Sequence, residues 1–558
     1  MNPYRKAQIT RNGRYIGRAQ HLLRGFVLLT TLLMAFGSSS CSCAPNLTAE
    51  ERRNDIEFLA RWAKDYSPFV ELNERCKGLP NYEALVPHYI QLAEKAESNA
   101  EFYQIVYGYF SLIGASGHGH LLSEQSLRGY LMESLQQPGQ LPWYHLHAAS
   151  YWPKLQNSEC FAYPPFRIVH DGQEYRTVED WHSKDRLIPR GSKIIRVNGM
   201  ACSSYCERLQ QETWLRYVVV GAERIAERLL AVHEGKGFDG WQVVFLLPDG
   251  TTYEAFVLAK KDSPRESEFT DYNLGGGNCI CLELTRDVGY IRVKCMGGMF
   301  IGEGGKKIRK FLEDSGGKYR KLIIDVRHNG GGLHYYGFDN LIAPFLDDSV
   351  RYTEVGGIRK PFLADHKPDF LESLRRGVSI FAHETAIEEI APPEGFDKTR
   401  WVFYKITRRV DPRQRYKFSG QMYILLDGGT GSAADEYVNA AQRIGMATLV
   451  GQRTPGSCGP YFNPVMVRLP ASGMIFLLEA DLMLNQDGSV NEIAGTKPDI
   501  ELAPCELPEK VTKEELFRDE WIRRIIEESV EGDMAADDSF QNIRSVETND
   551  KRKESPKQ

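Results

Sequence analysis

The residues best suited to chemistry lie in the segment 428–456, where a Gly-rich turn follows an apolar run and precedes a helical pattern. Ser432 stands at this turn, and apolar residues recur at spacings of three and four after it. A hydroxyl at the start of a helix can attack a carbonyl carbon while free backbone N–H groups hold the oxyanion that forms. Taken alone, Ser432 is more simply explained as the N-cap of that helix, with Asp435 completing a pattern similar to a capping box.

A second Gly-rich turn, Gly330 to Gly332, follows the apolar run that ends at Asp325. Three consecutive glycines let the backbone turn sharply and approach a substrate closely. We therefore expect their N–H groups to be candidate oxyanion donors, and we expect Asp325 and Arg327 to hold the loop by an ion pair or hydrogen bonds. The same pattern, taken alone, fits a flexible turn with a buried salt bridge.

Two histidines, His118 and His120, alternate with glycines directly after a helical pattern. An imidazole is suited to general-base catalysis because its pKa lies near neutrality. A metal pair or surface histidines would explain the same pattern. Glu492, in front of a Gly turn, is a candidate to orient a histidine, although an isolated glutamate is most often solvated.

Together these segments resemble the C-terminal processing and tricorn-type family of serine peptidases. The family pattern Asp-x-Arg-x-Asn-x-Gly-Gly is matched at 325–332, and the nucleophile pattern Gly-Ser-Ala-Ala-Asp/Glu at 431–435. The patterns Gly-x-Ala-x-x-Val-Gly-x-x-Thr and Glu-x-x-Gly-x-x-Pro-Asp are matched at 445–454 and 492–499. Four motifs in the family's order are far more specific than any one of them, and the resemblance covers about residues 280–502.

The resemblance implies one of two catalytic types. Processing peptidases of the tail-specific type carry a Lys downstream of the nucleophile, but here that spacing falls on Ser457 and no Lys lies nearby. The tricorn-like branch uses an upstream His and a downstream Glu. By this resemblance Ser432 is the nucleophile, Glu492 is the orienting carboxylate and His120 is the general base, with His118 as the alternative base.

The same resemblance implies an oxyanion hole formed by the N–H groups of Ala433 and Gly331, with Gly332 as the less favoured donor. It also implies an α/β fold with a layered core of the crotonase/ClpP type. Strand and helix patterns alternate between residues 278 and 505, which agrees with such a core.

The segments around these motifs differ in composition and periodicity, and they predict five regions. These are a lipoprotein signal peptide and anchor at 1–43, an N-terminal helical domain at 47–135 ending in the His loop, a PDZ-like domain at 140–262, a serine peptidase core at 270–505, and a C-terminal helix with a disordered tail at 506–558.

The PDZ-like prediction depends on two segments. In 187–199 a Gly turn leads into a strand that ends in Asn-Gly, and 243–253 reads as a closing hairpin. PDZ domains bind peptides by adding a strand to the edge of a sheet. No clear carboxylate-binding loop is present in the sequence, so a purely structural insert is an equal alternative.

The first residues predict export of the chain. Arginines precede an apolar run at 26–36, which is too short for a comfortable membrane span, and small residues then lead to Cys41. Cys41 looks like the acylation site of a bacterial lipoprotein, with Cys43 as the alternative. The lipid would tether the protein to a bilayer in the cell envelope, facing the periplasm or at the cell surface. An ordinary cleaved signal is the alternative.

The composition is that of a globular protein, with 42% hydrophobic and 26% charged residues over 558 positions. A net charge of −5 offers no electrostatic case for binding nucleic acid. The cysteine pairs 202/206 and 279/281 lack further Cys or His residues at zinc spacing. We therefore expect neither a metal site nor a cofactor.

The expected function is that of a serine endopeptidase, which hydrolyses peptide bonds of protein or peptide substrates in the cell envelope. A catalytically inactive peptide-binding protein with the same fold is the main alternative. A hydrolase or acyltransferase acting on non-peptide substrates is a third reading, because a fold does not determine the substrate. The sequence leaves open whether the chain forms an oligomer.

Overall fold

The structure is a computed structural model. It describes residues 46–77, 81–113, 118–121, 151–152, 161–162, 164–166, 168–170, 174–177, 180–205, 232–233, 239–259, 277–375, 384–456, 465–503, 507 and 511–527. The predicted signal peptide with Cys41 and the predicted disordered tail lie outside the described residues. Within the described part of the chain, every helix is too short or too polar to cross a membrane.

Helices form where the N-terminal patterns predict them, and a short strand follows. Thr48 caps the first helix in a capping box with Glu51. The elements are α1 (Ala49–Tyr66), α2 (Phe69–Lys77), α3 (Val86–Lys95), α4 (Asn99–Ser111) and β1 (His120–Leu121). The buried residues of α1, α3, α4 and β1 share one hydrophobic core with the distant segment 467–478, whereas those of α2 pack in a separate cluster. This packing holds the chain after α4 close to a segment more than 300 residues away.

The next part of the described chain is rich in strands, as the sequence predicts. They are β2 (Phe161–Ala162), β3 (Ile168–His170), β4 (Tyr175–Thr177), β5 (Trp181–His182), β6 (Leu187–Ile188), β7 (Lys193–Val197), β8 (Met200–Ala201), β9 (Val232–His233), β10 (Gly240–Leu246) and β11 (Thr252–Leu258). Six of them form a sheet in the order β11-β10-β7-β4-β3, with β8 paired to β7. The predicted closing hairpin is formed by β10 and β11. The assignment of this sheet to the PDZ class stays a prediction.

The remaining strands build the central sheet and its neighbours. They are β12 (Cys279–Glu283), β13 (Val288–Val293), β14 (Lys321–Asp325), β15 (Val350–Arg359), β16 (Glu384–Ile390), β17 (Trp401–Val410), β18 (Gln421–Leu426), β19 (Thr448–Gly451), β20 (Val465–Arg468), β21 (Ile475–Leu478), β22 (Asp481–Leu484) and β23 (Ile500–Glu501). The central sheet has the order β12-β13-β14-β18-β19-β23, and all neighbouring pairs except β12–β13 are parallel.

Helices cover both faces of this central sheet, which confirms the predicted α/β fold class. The helices of this part of the chain are α5 (Ile301–Asp314), α6 (His334–Gly337), α7 (Lys360–Arg375), α8 (Ala433–Arg443), α9 (Asn491–Ala494), α10 (Lys513–Leu516) and α11 (Glu520–Glu527), of which α7 and α9 lie away from the central sheet. One face packs on α5, α6 and α8, and the opposite face packs on α10 and α11. The single C-terminal helix predicted within 506–558 is two helices, because Asp519 accepts the N–H groups of Trp521 and Ile522 and starts a new one.

Two further sheets lie beside the central one. A four-stranded sheet has the order β16-β17-β15-β22, and a three-stranded sheet has the order β1-β21-β20. In the second of these, β1 pairs antiparallel with β21, with His120 opposite Leu477 and Leu121 opposite Phe476. Because β21 leads directly towards β22, this small sheet joins the N-terminal segment to the edge of the active-site region.

Candidate active site

Ser432 lies at the junction of β18 and α8, in a turn that presents its hydroxyl. Its backbone has φ of 52° and ψ of −128°, a conformation that a residue with a Cβ atom rarely adopts. Its side chain makes no capping hydrogen bond to α8, although it occupies the N-cap position. The N-cap explanation of Ser432 therefore lacks its hydrogen bond, and backbone strain of this kind is typical of functional sites.

His118 is the histidine that the structure brings to Ser432. Its Nε2 atom lies 2.9 Å from Ser432 Oγ, and its Nδ1 atom lies 2.6 Å from Glu479 Oε1. The antiparallel pairing of β1 with β21 explains the meeting, because its register, continued two residues beyond His120, places His118 opposite Glu479. A hydroxyl, an imidazole and a carboxylate from three distant segments thus form one chain of hydrogen bonds.

This arrangement reverses the predicted preference between the two histidines. His120 lies in β1, where its backbone pairs with Leu477, whereas His118 lies just before the strand. The sequence placed His118 second because it occupies the position at which the family commonly has Asp. Only the strand register decides which of the two residues meets the nucleophile.

Glu479 raises the pKa of His118 above its ordinary value. Burial alone lowers that pKa, but the negative charge of Glu479 and the hydrogen bond to it outweigh the effect of burial. Glu479 is itself buried, with a side chain that is 3% exposed. The carboxylate therefore strengthens the imidazole as a base and fixes its orientation.

Glu492 does not make the contact with the histidine that the sequence analysis assigned to it. It is buried beside this site, where its carboxyl group accepts a hydrogen bond of 3.0 Å from the N–H of Met483. Burial raises the pKa of Glu492 well above its ordinary value, and the charges of Glu479 and Asp481 act in the same direction. Glu479 therefore makes the contact with the imidazole that was predicted for Glu492.

The two predicted oxyanion donors from the glycine turn differ in their hydrogen bonds. Gly331 has φ of 96°, and a Cβ atom there would lie 2.6 Å from Ser432 Cβ and 2.8 Å from Ala433 N. Its N–H, however, donates to Asn329 Oδ1 at 3.0 Å. Among the described residues, neither Gly332 nor Ala433 has a hydrogen bond from its N–H group. The N–H of Gly332, predicted as the less favoured donor, is therefore unoccupied, whereas that of Gly331 is already bound to Asn329.

Comparison with known proteins agrees with this geometry. Residues 287–502 match the peptidase family S41. This segment of the chain is similar to S41 peptidases. Members of this family are serine-type peptidases, so the chain is an enzyme of that class. None of the curated proteins compared matches the sequence.

Solved structures extend the likeness beyond the S41 domain. The crystal structure of mature CPAF shares 15% sequence identity, with a TM-score of 0.53, and the match covers 81% of this chain and 93% of that one. The structure of mature CPAF complexed with lactacystin shares 16% identity, with a TM-score of 0.50, and covers 81% and 94%. At such identities the matches establish a common fold.

The ion pair predicted for the S41 motif is present. Arg327 Nη2 lies 2.7 Å from Asp325 Oδ2, and both side chains are fully buried. Asp325 also accepts hydrogen bonds from Arg292 Nη1 at 2.6 Å and from the Tyr290 hydroxyl at 2.7 Å. Burial by itself raises the pKa of Asp325, but the two guanidinium groups outweigh it and hold the pKa below its ordinary value.

Asn329 and Asp427 connect the two turns of the S41 site, and the sequence analysis named neither. The Asn329 carbonyl accepts the N–H of Gly431, and its side chain donates to Val293 O. Asp427 Oδ1 accepts the N–H groups of His328 and Gly429. An Asn or Asp directly after a buried strand and before glycines is the signal that could have identified them, because such side chains stabilise turns.

No metal ligand set stands out in the S41 domain. Among the residues that the structure describes, there is no group of three or more His, Cys, Asp or Glu side chains suited to holding an ion.

Proposed function

We propose that this chain is a serine endopeptidase that hydrolyses protein or peptide substrates in the cell envelope through Ser432, His118 and Glu479. The single observation that carries the proposal is the hydrogen-bond chain from Ser432 Oγ to His118 Nε2 and from His118 Nδ1 to Glu479. It joins the same three kinds of group, in the same order, as the established serine peptidase triad.

In the proposed reaction, Ser432 Oγ attacks the carbonyl carbon of the scissile bond while His118 Nε2 takes its proton. Glu479 holds the imidazole through Nδ1 and stabilises the positive charge that develops on it. The oxyanion is bound by the N–H groups of Ala433 and Gly332. His118 then gives this proton to the leaving amine as the peptide C–N bond breaks. In the second half of the reaction, water attacks the acyl carbon while His118 takes a proton from it, and His118 returns that proton to Ser432 Oγ as the ester bond breaks.

The geometry gives no specific support to a catalytically inactive scaffold. The nucleophile is held in a strained conformation, and its hydroxyl contacts an imidazole whose basicity is raised by a buried carboxylate. Such features are expected where a hydroxyl must be activated, whereas a peptide receptor does not need them.

Proteolysis tests the proposal directly. The mature protein should cleave an unfolded substrate such as casein, and Ser432→Ala should not. Gly330→Ala is a matched control, because a Cβ at Gly330 would have no atom within 4 Å and should leave the site intact. A Ser432→Ala protein that cleaves casein at the wild-type rate would contradict the assignment of the nucleophile.

We also propose that the protein is anchored in the envelope by acylation of Cys41. Support comes from the basic, apolar and small-residue order of the first residues. Metabolic labelling with a radioactive or clickable fatty acid should mark the wild-type protein and not Cys41→Ser. Equal labelling of Cys41→Ser would exclude this cysteine, and labelling lost only in Cys43→Ser would favour the alternative.

A further inference from the structure

The segment 511–527 lies beyond the residues that match family S41, yet it contacts the active-site turn. Asp519 Oδ2, just before α11, lies 2.8 Å from Arg327 Nη2, and the two side chains are 1% and 0% exposed. Arg327 belongs to the turn that carries Gly331 and Gly332. A residue of the C-terminal segment therefore forms a fully buried ion pair with the loop beside the nucleophile.

The ion pair completes the charge balance of a buried cluster. Asp325 contacts both Arg292 and Arg327, so these three groups alone leave one positive charge in excess. Asp519 supplies the second carboxylate. Because an unpaired buried charge is strongly destabilising, removal of this carboxylate should displace Arg327 rather than leave it in place without its second partner.

Packing around α11 fixes the position of Asp519. The guanidinium of Arg327 lies 5.1 Å from the centre of the Trp521 ring. Gly451 at the end of β19 has φ of 129°, and a Cβ atom there would lie 2.4 Å from that ring, so only glycine admits the tryptophan. The indole N–H also donates to Ala503 O at 2.9 Å.

Two residues of backbone and two hydrogen bonds connect Arg327 with the turns around Ser432. Asn329 lies two residues after Arg327. Its side-chain oxygen accepts a hydrogen bond from the N–H of Gly331, and its backbone carbonyl accepts one from the N–H of Gly431. Gly431 directly precedes Ser432. A shift of Arg327 would therefore reach both the glycine turn and the turn of the nucleophile.

We propose that Asp519 is a positioning residue for the peptidase reaction. Through Arg327 it holds the turn 327–332, and with it the oxyanion donor Gly332, in place against Ser432. This inference rests on the proposed function of Ser432. It extends the working active site to a helix that lies outside the residues matched by the family.

Asp519→Asn is the informative substitution. The Asn side chain can still accept the N–H groups of Trp521 and Ile522 and cap α11, but it cannot form the ion pair. We expect kcat to fall by about tenfold or more with KM within about twofold, because a small displacement of the oxyanion donor weakens transition-state binding more than substrate binding. Asp519→Glu keeps the charge and should recover part of the lost kcat.

Lys321→Met is the matched control. Lys321 Nζ donates to Ile525 O at 2.8 Å, so this change loosens the same helix at a contact remote from the glycine turn. It should lower the thermal midpoint without lowering kcat. If both variants lose kcat in proportion to their stability, Asp519 serves only to anchor α11 and the inference is wrong.

A second readout does not depend on activity. In the Ser432→Ala background, hydrogen exchange of the amides in 328–333 should become faster with Asp519→Asn and stay unchanged with Lys321→Met. Unchanged exchange together with wild-type kcat in Asp519→Asn would overturn the inference. A wild-type protein without Ser432-dependent proteolysis would instead overturn the proposed function, while the exchange experiment would still decide the role of Asp519.

Discussion

The two sides of the active site are built in different ways. The side of the nucleophile and the oxyanion donors comes from two turns at the ends of the adjacent parallel strands β14 and β18. The side of the base and the carboxylate comes from β1 and β21, which are more than 300 residues apart in sequence. The first side carries dense local motifs, whereas the second depends on the register of one short strand pair.

This difference determines which substitutions will be tolerated. On the nucleophile side the backbone forms the site around the Ser432 hydroxyl, so the space and the backbone conformation at each glycine matter. On the base side the side chains of His118 and Glu479 do the work, and the nearby residues of the same types, His120 and Glu492, serve as internal controls. Each pair of similar residues with different roles offers a test of the comparison.

The largest effect is expected for the two histidines. His118→Ala should reduce kcat/KM by about 10⁴-fold or more, because it removes the general base of the triad. His120→Ala should stay within about tenfold of the wild type. The measurement is the initial rate of peptide hydrolysis by each purified variant, and the opposite ranking would restore His120 as the base.

Substitution of Glu479 should lower activity much more than substitution of Glu492. Glu479→Gln should lower kcat by about 10³-fold to 10⁴-fold, since the imidazole loses the charge that orients and stabilises it. Glu492→Gln changes a group that accepts from the N–H of Met483 instead of holding the histidine, and it should lower kcat by less than about tenfold. Steady-state kinetics of both variants at pH 7 would check this, and equal losses would mean that Glu492 also acts on the histidine.

Neighbouring glycines sharpen the comparison on the nucleophile side. Gly331→Ala places a Cβ 2.6 Å from Ser432 Cβ at a backbone φ of 96°, so it should displace the nucleophile and lower kcat by about a hundredfold or more. Gly330→Ala meets no atom within 4 Å and should keep most of the activity. Similar kinetics for the two variants would show that the close approach at Gly331 is unimportant.

The pH dependence should reflect the contact between His118 and Glu479. Because the net effect of burial and Glu479 raises the pKa of His118, kcat/KM should increase with pH through a midpoint above the ordinary histidine value. Removal of the carboxylate charge in Glu479→Gln should move this midpoint to lower pH. A midpoint that does not move in the variant would show that another group controls the acidic side of the profile.

The smallest expected effect is the contribution of Glu492 to the pH dependence of folding stability. A carboxyl group whose pKa is raised by folding holds its proton in the native state while the unfolded chain releases it. Stability from this group is therefore lost as the pH rises from the unfolded value towards the native one. Glu492→Gln should remove this loss, so its thermal midpoint should gain on the wild type as the pH rises above the ordinary glutamate pKa.

The fold class and the nucleophile side could be predicted from the sequence because their signals are local. Ser432, Ala433, and the ion pair of Asp325 with Arg327 all fall within short motifs. Gly331 was predicted to donate to the oxyanion, but its N–H donates to the Asn329 side chain. A pattern of glycines does not predict such a side-chain contact.

The base side could be predicted only in part because it depends on long-range pairing. His118 was retained as an alternative, and the register of β1 with β21 decides in its favour. Glu479 carried a usable signal, since a glutamate inside an otherwise apolar run at 474–480 is unusual unless it is paired. The role given to Glu492 came from a motif, and a motif does not reveal which carboxylate meets the imidazole.

The most direct test of the account is the site and rate of modification by a fluorophosphonate, identified by mass spectrometry of the mature protein and of His118→Ala. If Ser432 is the nucleophile and His118 its base, the wild type should carry a single adduct on Ser432 and His118→Ala should lose labelling, while His120→Ala is labelled like the wild type. An unmodified Ser432 in an active wild-type protein, or wild-type labelling of Ser432 in His118→Ala, would contradict this assignment.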